Sequence, residues 1–257
     1  MNRPALMGIV NVTPDSFSGD GKLAGDAVLH AERLLNEGAD ILDLGGESTR
    51  PGATVLSAEE EWARLEPVLS GIIDQPWRMR VRLSVDTRHA ETAERALGMG
   101  IDIINDVGGL REVAMLETLE AHNCDIVVMH ALSIPADPSQ VLPPDCDVVA
   151  EILRWKKEAI TRAGDHGIAP ERLIFDPGIG FGKSAVQSRA LVEGAAQLRA
   201  SGGRWLVGHS RKSFLGLKEA GNDAKDAATL EISLKLAEAG VDYLRVHNIA
   251  LHAKRFA

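Results

Sequence analysis

The sequence predicts an α/β fold: eight parallel strands closed into a (β/α)8 TIM barrel, with residues 1–257 forming one domain. Three observations carry this. Short apolar runs and longer amphipathic stretches alternate eight times along the chain. The short runs are rich in Val, Ile and Leu and hardly alternate in polarity, as strands buried on both faces should read. The length, 257 residues, matches a barrel of this class, which takes about 250 residues as one unit. An open doubly wound sheet would normally place GxGxxG after its first strand, and no such fingerprint follows Val12.

The predicted strands are Leu6–Val12, Ile41–Gly45, Val81–Asp86, Asp102–Asn105, Ile126–His130, Leu173–Asp176, Trp205–Gly208 and Tyr243–His247. Helical periodicity appears between them in the stripe Ala27, Leu34, Leu35. It recurs in Ala90–Leu97, Val113–Leu119, Val148–Ile160, Leu191–Leu198 and Leu230–Ala237. Three returns from helix to strand repeat one device: Gly38-Ala39-Asp40, Gly100-Ile101-Asp102 and Gly240-Val241-Asp242. Glycine takes the position after a helix end that favours a left-handed backbone, and an acid then opens the next strand.

The formal net charge of -9 argues against nucleic acid and anionic membrane as partners. An anionic ligand would therefore need a local gathering of Arg and Lys. Two cysteines without a CxxC pair imply neither a disulfide framework nor a thiolate zinc site, and a cytoplasmic location is expected. The apolar start up to Val12 is not built as a signal segment, and no apolar run reaches the roughly 18 residues of a membrane span.

Polar residues fall at the strand ends, which converge on one face in this architecture. Asn11 ends the first run, Asp86 the third, Asn105-Asp106 the fourth and Met129-His130 the fifth. Asp176 ends the sixth, His209-Ser210-Arg211-Lys212 follow the seventh, and Arg245 and His247 close the eighth. Taken singly, an Asp or Asn there is often a helix cap, and a glycine-rich turn is often only a tight connection. Together, so many polar groups in one mouth need a polar ligand or water. Carboxylates and an amide suit a flat heterocycle with a donor-rich edge; the basic residues suit a phosphate. Gly178–Lys183 reads GIGFGK, without P-loop spacing. Asn11 and Asp15 offer oxygens suited to Mg²⁺, which takes few protein ligands beside substrate phosphate.

The motifs NVTPDSF (11–17), GGESTRPGA (45–53), SVDT (84–87), IND (104–106), VVMH (127–130), DPGIGFGK (176–183), SRKSFLG (210–216) and RVH (245–247) stand in order. On these the chain resembles the dihydropteroate synthase family of pterin-binding enzymes, over Met7 to His247. The resemblance implies joining of a pterin diphosphate to p-aminobenzoate with release of pyrophosphate, using Mg²⁺ beside Asn11. It implies that Asp86, Asn105, Met129, Asp176 and Lys212 hold the pterin. Asn11, Thr49, Arg245 and His247 would hold the diphosphate. Phe17, Thr49, Arg50, Pro51, Phe181, Ser210 and Lys212 would form the p-aminobenzoate pocket, with Phe17 and Thr49–Pro51 on closing loops. Asn11, Thr49, Arg50, Lys212, Arg245 and His247 are thereby the candidate catalytic set. Two alternatives stand beside it: a pterin-binding methyltransferase-like barrel, which is not expected to carry the SRK or STRPGA segments, and a non-catalytic pterin binder.

Three places depart from the family pattern. The segment after Met129-His130 runs Ala131-Leu132-Ser133-Ile134-Pro135 instead of a Gln-Gly-Thr-Pro type, so no site residue is expected in 131–145. Gln187-Ser188 stands where a His-Asn pair is usual, and Asn248 where Asp is expected. The eighth helix is short, which weakens the expectation of a homodimer built at that end of the barrel.

Overall fold

The computed structural model describes residues 3–13 and 23–257. Eight parallel strands close into a barrel in chain order: β1 Ala5–Asn11, β2 Ile41–Gly45, β3 Arg82–Asp86, β4 Ile103–Asp106, β5 Asp125–Met129, β6 Leu173–Asp176, β7 Arg204–Val207 and β8 Tyr243–Val246. The barrel closes where β1 pairs with β8, Met7 lying beside Arg245. Each predicted strand lies within about one residue of an observed one, the slack usual for element ends.

The helices are α1 Leu23–Asn36, α2 Ala58–Ile73, α3 Ala90–Gly98, α4 Val113–Ala121, α5 Val148–Asp165, α6 Ala185–Glu193, α7 Ala195–Ala200, α8 Asn222–Glu238 and α9 Ile249–Phe256. Two differ from the expectation. The helix α2 had no predicted counterpart, though it buries Trp62, Leu65, Leu69 and Ile72 at helical spacing. The single stretch expected over Leu191–Leu198 is broken at Gly194, which ends α6 and opens α7. Among the described residues, no helix is long and apolar enough to cross a membrane.

Strand alternation sorts the core into two shells. Outward residues such as Leu42, Leu44, Val85, Ile104, Val128 and Val207 pack under the helices. Inward, Met7, Ile41, Ile103, Val127, Ile174 and Leu206 form a separate apolar plug, with Tyr243 against it. Below the plug, Asp125 receives Arg82 at 2.7 Å and Arg204 at 2.7 Å, tying β3, β5 and β7 together. Above it, the inward positions turn polar and become the site.

The three glycine returns behave alike. Gly38, Gly100 and Gly240 have φ of 103°, 82° and 82°, where a Cβ would be strained. Each following aspartate accepts a backbone N–H from the neighbouring strand: Asp40 from Leu6 at 2.7 Å, Asp102 from Leu83 at 2.8 Å and Asp242 from Trp205 at 2.7 Å.

Candidate active site

The mouth at the C-terminal strand ends is built from register. Pairing sets Asn11 beside Gly45, Gly45 beside Asp86, Asp86 beside Asn105, and Met129 beside Asp176. Two residues toward the floor lies Asp43, fully buried on β2. It accepts from Ser84 Oγ at 2.6 Å, from Arg245 Nε at 2.5 Å and from Asn105 Nδ2 at 3.3 Å. Arg245 also donates through Nη2 to Asp86 Oδ2 at 2.8 Å. One guanidinium therefore joins β8 to β2 and β3 across the barrel interior. Burial opposes its charge, but Asp43 and Asp86 outweigh that and hold it charged. Sequence reasoning passed over Asp43; its signal was an acid alternating with Ile41 and Gly45 inside an otherwise apolar strand.

The carboxylates are poised. Burial pushes Asp86 up to about 7; Arg245 opposes this, and Asp43 adds to it. Asp176 is raised by burial as well, against the pull of Lys212 and the Gly178 N–H that its Oδ1 accepts at 2.7 Å. Lys212 is brought down to about 8 by burial, despite Asp176. Its ammonium donates to Ile179 O at 2.6 Å and sits 4.7 Å from the Phe181 ring centre. Burial, and then Arg211, Arg245 and Arg50, bring His247 down to about 3, so its imidazole is neutral near pH 7. Ser210 Oγ lies 2.9 Å from His247 Nδ1 and accepts the His247 backbone N–H at 3.2 Å.

Other strand-end residues proved structural. Asp106 accepts from Gly108 N and Leu110 N and shapes its own turn. His209 is buried against Ser233 and Thr229 of α8. Arg211 faces away from the mouth onto Asp226. His130 packs edge-on against Trp155, and its Nδ1 meets Lys183 Nζ at 2.5 Å. Lys183, the last residue of DPGIGFGK, has a role the motif did not foretell. It also donates to His130 O at 2.9 Å and Phe181 O at 3.0 Å, so it closes the loop after β6 onto the end of β5.

The rim holds Thr49, half-buried, with Arg50 and Pro51 exposed. Phe17 and Asp15 lie outside the described residues. The 131–145 segment, where no site residue was expected, approaches the mouth closely. Ala131 and Ala136 form one apolar cluster with Val107, Met129 and Phe181, and Ile134 packs on it. Ala136 N donates to Thr49 O at 3.1 Å. The unusual Gln187 holds this segment: it completes a capping box with Ser184 and donates to Leu142 O at 3.1 Å and Pro143 O at 2.9 Å.

Among the described residues, no three His, Cys, Asp or Glu side chains converge on a metal position. Asn11 ends β1 partly exposed, on the same inward alternation as Met7, and its amide carries one oxygen donor. A single oxygen donor fits Mg²⁺, which keeps waters and takes its other ligands from substrate phosphate.

This arrangement has close parallels. The pterin binding enzyme family matches residues 7–247. The Neisseria meningitidis serogroup C dihydropteroate synthase is 42% identical over 258 residues, covering 97% of this chain and 89% of that protein. A Halobacterium salinarum protein named a probable bifunctional folylpolyglutamate synthase/dihydropteroate synthase is 44% identical over 96% of this chain, which spans only 30% of its length. Among solved structures, Xanthomonas albilineans dihydropteroate synthase with 4-aminobenzoic acid superposes with TM-score 0.90 at 39% identity, covering 99% of this chain and 91% of that one. The same organism's enzyme with 7,8-dihydropteroate gives TM-score 0.85 at 35% identity, covering 99% and 92%. The Anaplasma phagocytophilum dihydropteroate synthase with 6-hydroxymethylpterin-monophosphate gives 0.91 at 36%, covering 99% and 97%.

Proposed function

The chain belongs to the pterin-binding enzyme family, and on that premise we propose that it is a transferase performing the dihydropteroate synthase reaction of folate synthesis. It joins 6-hydroxymethyl-7,8-dihydropterin diphosphate to p-aminobenzoate, giving 7,8-dihydropteroate and pyrophosphate. The observation that carries the reading is the convergence of buried Asn105 and Asp176 and half-buried Asp86 with Lys212, Arg245 and His247 at one barrel mouth.

Asp176 and Asp86 accept from the donor-rich pterin edge, where charge-assisted bonds are strong. Asn105 supplies an amide, Met129 an apolar floor, and Lys212 a donor to the ring's carbonyl side. Arg245 spends two of its donors on Asp43 and Asp86, and a guanidinium has five. Those remaining serve the diphosphate together with Asn11, Thr49 and neutral His247. Mg²⁺, held through Asn11 and phosphate oxygens, would neutralise charge on the leaving group. The C–O bond between the pterin methylene and the diphosphate breaks, and pyrophosphate takes the electron pair. The arylamine nitrogen forms the new C–N bond and gives up its proton to solvent. The arylamine lies between Phe181, Ser210, Lys212 and the rim residues Thr49, Arg50 and Pro51. The chain supplies position and charge, with no protein nucleophile.

A cytoplasmic setting is in keeping with the free cysteines Cys124 and Cys146. The test is incubation with both substrates and Mg²⁺, with detection of pyrophosphate and dihydropteroate. Pterin binding without product would reduce the chain to a binder.

A further inference from the structure

Two pairs of residues join the ends of β7 and β8. Ser210 and His247 face the mouth. One residue further along each segment, Arg211 and Asn248 turn away from it and meet a single carboxylate, Asp226 on α8. Asp226 is buried, 3% exposed. Its Oδ1 accepts Arg211 Nε at 2.6 Å, and its Oδ2 accepts both Arg211 Nη2 at 2.8 Å and Asn248 Nδ2 at 2.9 Å. The fork of Arg211 is therefore bidentate, the geometry that fixes direction as well as distance.

The segment held this way is not relaxed by itself. Arg211 has φ of 58°, a left-handed backbone that a side-chain-bearing residue keeps only where its surroundings impose it. Arg211 N is also pinned to Thr229 Oγ1 at 3.2 Å, again on α8. Next along the chain, Lys212 reaches over Phe181. On the other side, Asn248 Oδ1 accepts Leu251 N at 3.0 Å and so starts α9. Its amide is thus divided: oxygen to the helix, nitrogen to Asp226. An aspartate at 248 would set its second oxygen against the Asp226 carboxylate.

We propose that Asp226, Arg211 and Asn248 form a positioning clamp that fixes Ser210, Lys212 and His247 for the arylamine and the leaving group. The clamp rests on the functional reading above. The clamp takes one carboxylate for Arg211, and it can be supplied from α8 or from residue 248, but not from both.

The experiment compares the wild-type chain with Asp226→Asn, Asn248→Asp and the double exchange. Pyrophosphate release gives kcat and KM for p-aminobenzoate, and hydrogen exchange follows the amides of 210–216. Each single variant lowers kcat/KM about tenfold, mainly through KM, because displaced groups bind and orient less well. Each also speeds exchange in 210–216. The double variant restores both, to within about threefold for kcat/KM, since the two changes share one partner. Single variants that leave KM and exchange unchanged overturn the clamp. So does a double variant no better than the worse single one. If the wild-type chain releases no pyrophosphate, the functional reading fails instead. The exchange data then judge the clamp alone: unchanged protection in Asp226→Asn sinks it, and loss restored by the exchange upholds it.

Discussion

Asp43, Asp86 and Asp176 bring three acids into one mouth, and their fates differ by partner. Arg245 serves Asp43 and Asp86, while Asp176 accepts the Gly178 backbone N–H at 2.7 Å through Oδ1 and keeps acceptor capacity on Oδ2 for a ligand. Asp176→Asn should therefore weaken pterin binding more than tenfold, since such charge-assisted bonds contribute about 1.5–3 kcal/mol; calorimetry with 6-hydroxymethylpterin reads this directly. Ionised Asp86 and charged Lys212 together define a pH window. Asp86 is pushed up to about 7 and Lys212 down to about 8, so kcat/KM for the pterin diphosphate should rise through the first value and fall through the second. Asp86→Asn should flatten the acid limb. The same raised carboxyl stabilises the unliganded fold fully only below about pH 4, and that contribution is lost as pH rises through about 7. Much of this was legible in the sequence, because Asp86, Asn105 and Asp176 stand at strand ends where polarity is conspicuous. Asp43 was not read, because strand interiors are taken as apolar and its compensating guanidinium lies 202 residues away.

Loops and helices decide how the mouth is walled. Gln187 joins the cap of α6 to the carbonyls of Leu142 and Pro143, and through them to a segment packed on Met129 and Phe181. Gln187→Ala should lower stability by about 1–2 kcal/mol in urea unfolding. It should also raise KM for p-aminobenzoate more than for the pterin, because the loosened wall borders Phe181. Closure is an element-scale property too. The rim residues Arg50 and Pro51 are exposed, so the pocket proposed for the arylamine is open on that side. We expect p-aminobenzoate to bind poorly to the free protein and well once pterin and Mg²⁺–pyrophosphate are present; equal affinities in two titrations would remove ordered closure. Element legibility was uneven for identifiable reasons. The apolar stripe of α2 is interrupted by Pro67 and preceded by Glu59–Glu61, which dilute its periodicity. At the break, packing requires glycine: a Cβ at Gly194 would lie 2.5 Å from a Val149 methyl, a contact invisible along the chain. The 131–145 segment was read by its departure from a motif, whereas its place at the mouth comes from Ala136 and Thr49 meeting across the rim.

At the scale of the whole barrel, the charged floor and the polar mouth flank one apolar plug. Asp125 is the floor's hub. Burial opposes its ionisation, but Arg204 and Arg82 hold it below the usual carboxylate range. Asp125→Asn should reduce stability by about 1–2 kcal/mol, discounted for partial exposure of the pair. The difference from wild type should shrink as pH falls below about 4, where the unfolded carboxylate protonates, and vanish only once pH has passed the lowered native value. Closure in chain order was legible because parallel strands buried on both sides leave a distinctive pattern, and eight of them without an unpaired edge favour a ring. The aspartates that follow Gly38, Gly100 and Gly240 have a reach beyond local capping. Each fixes which residue of one strand sits opposite which residue of the next: Asp40 to Leu6, Asp102 to Leu83, Asp242 to Trp205. In a closed ring of given strand number, that stagger sets the tilt of the staves and hence the bore. The gauge of the opening between Asp86 and Asp176, the two acids proposed to grip one fused ring, is therefore calibrated at the opposite end of the molecule.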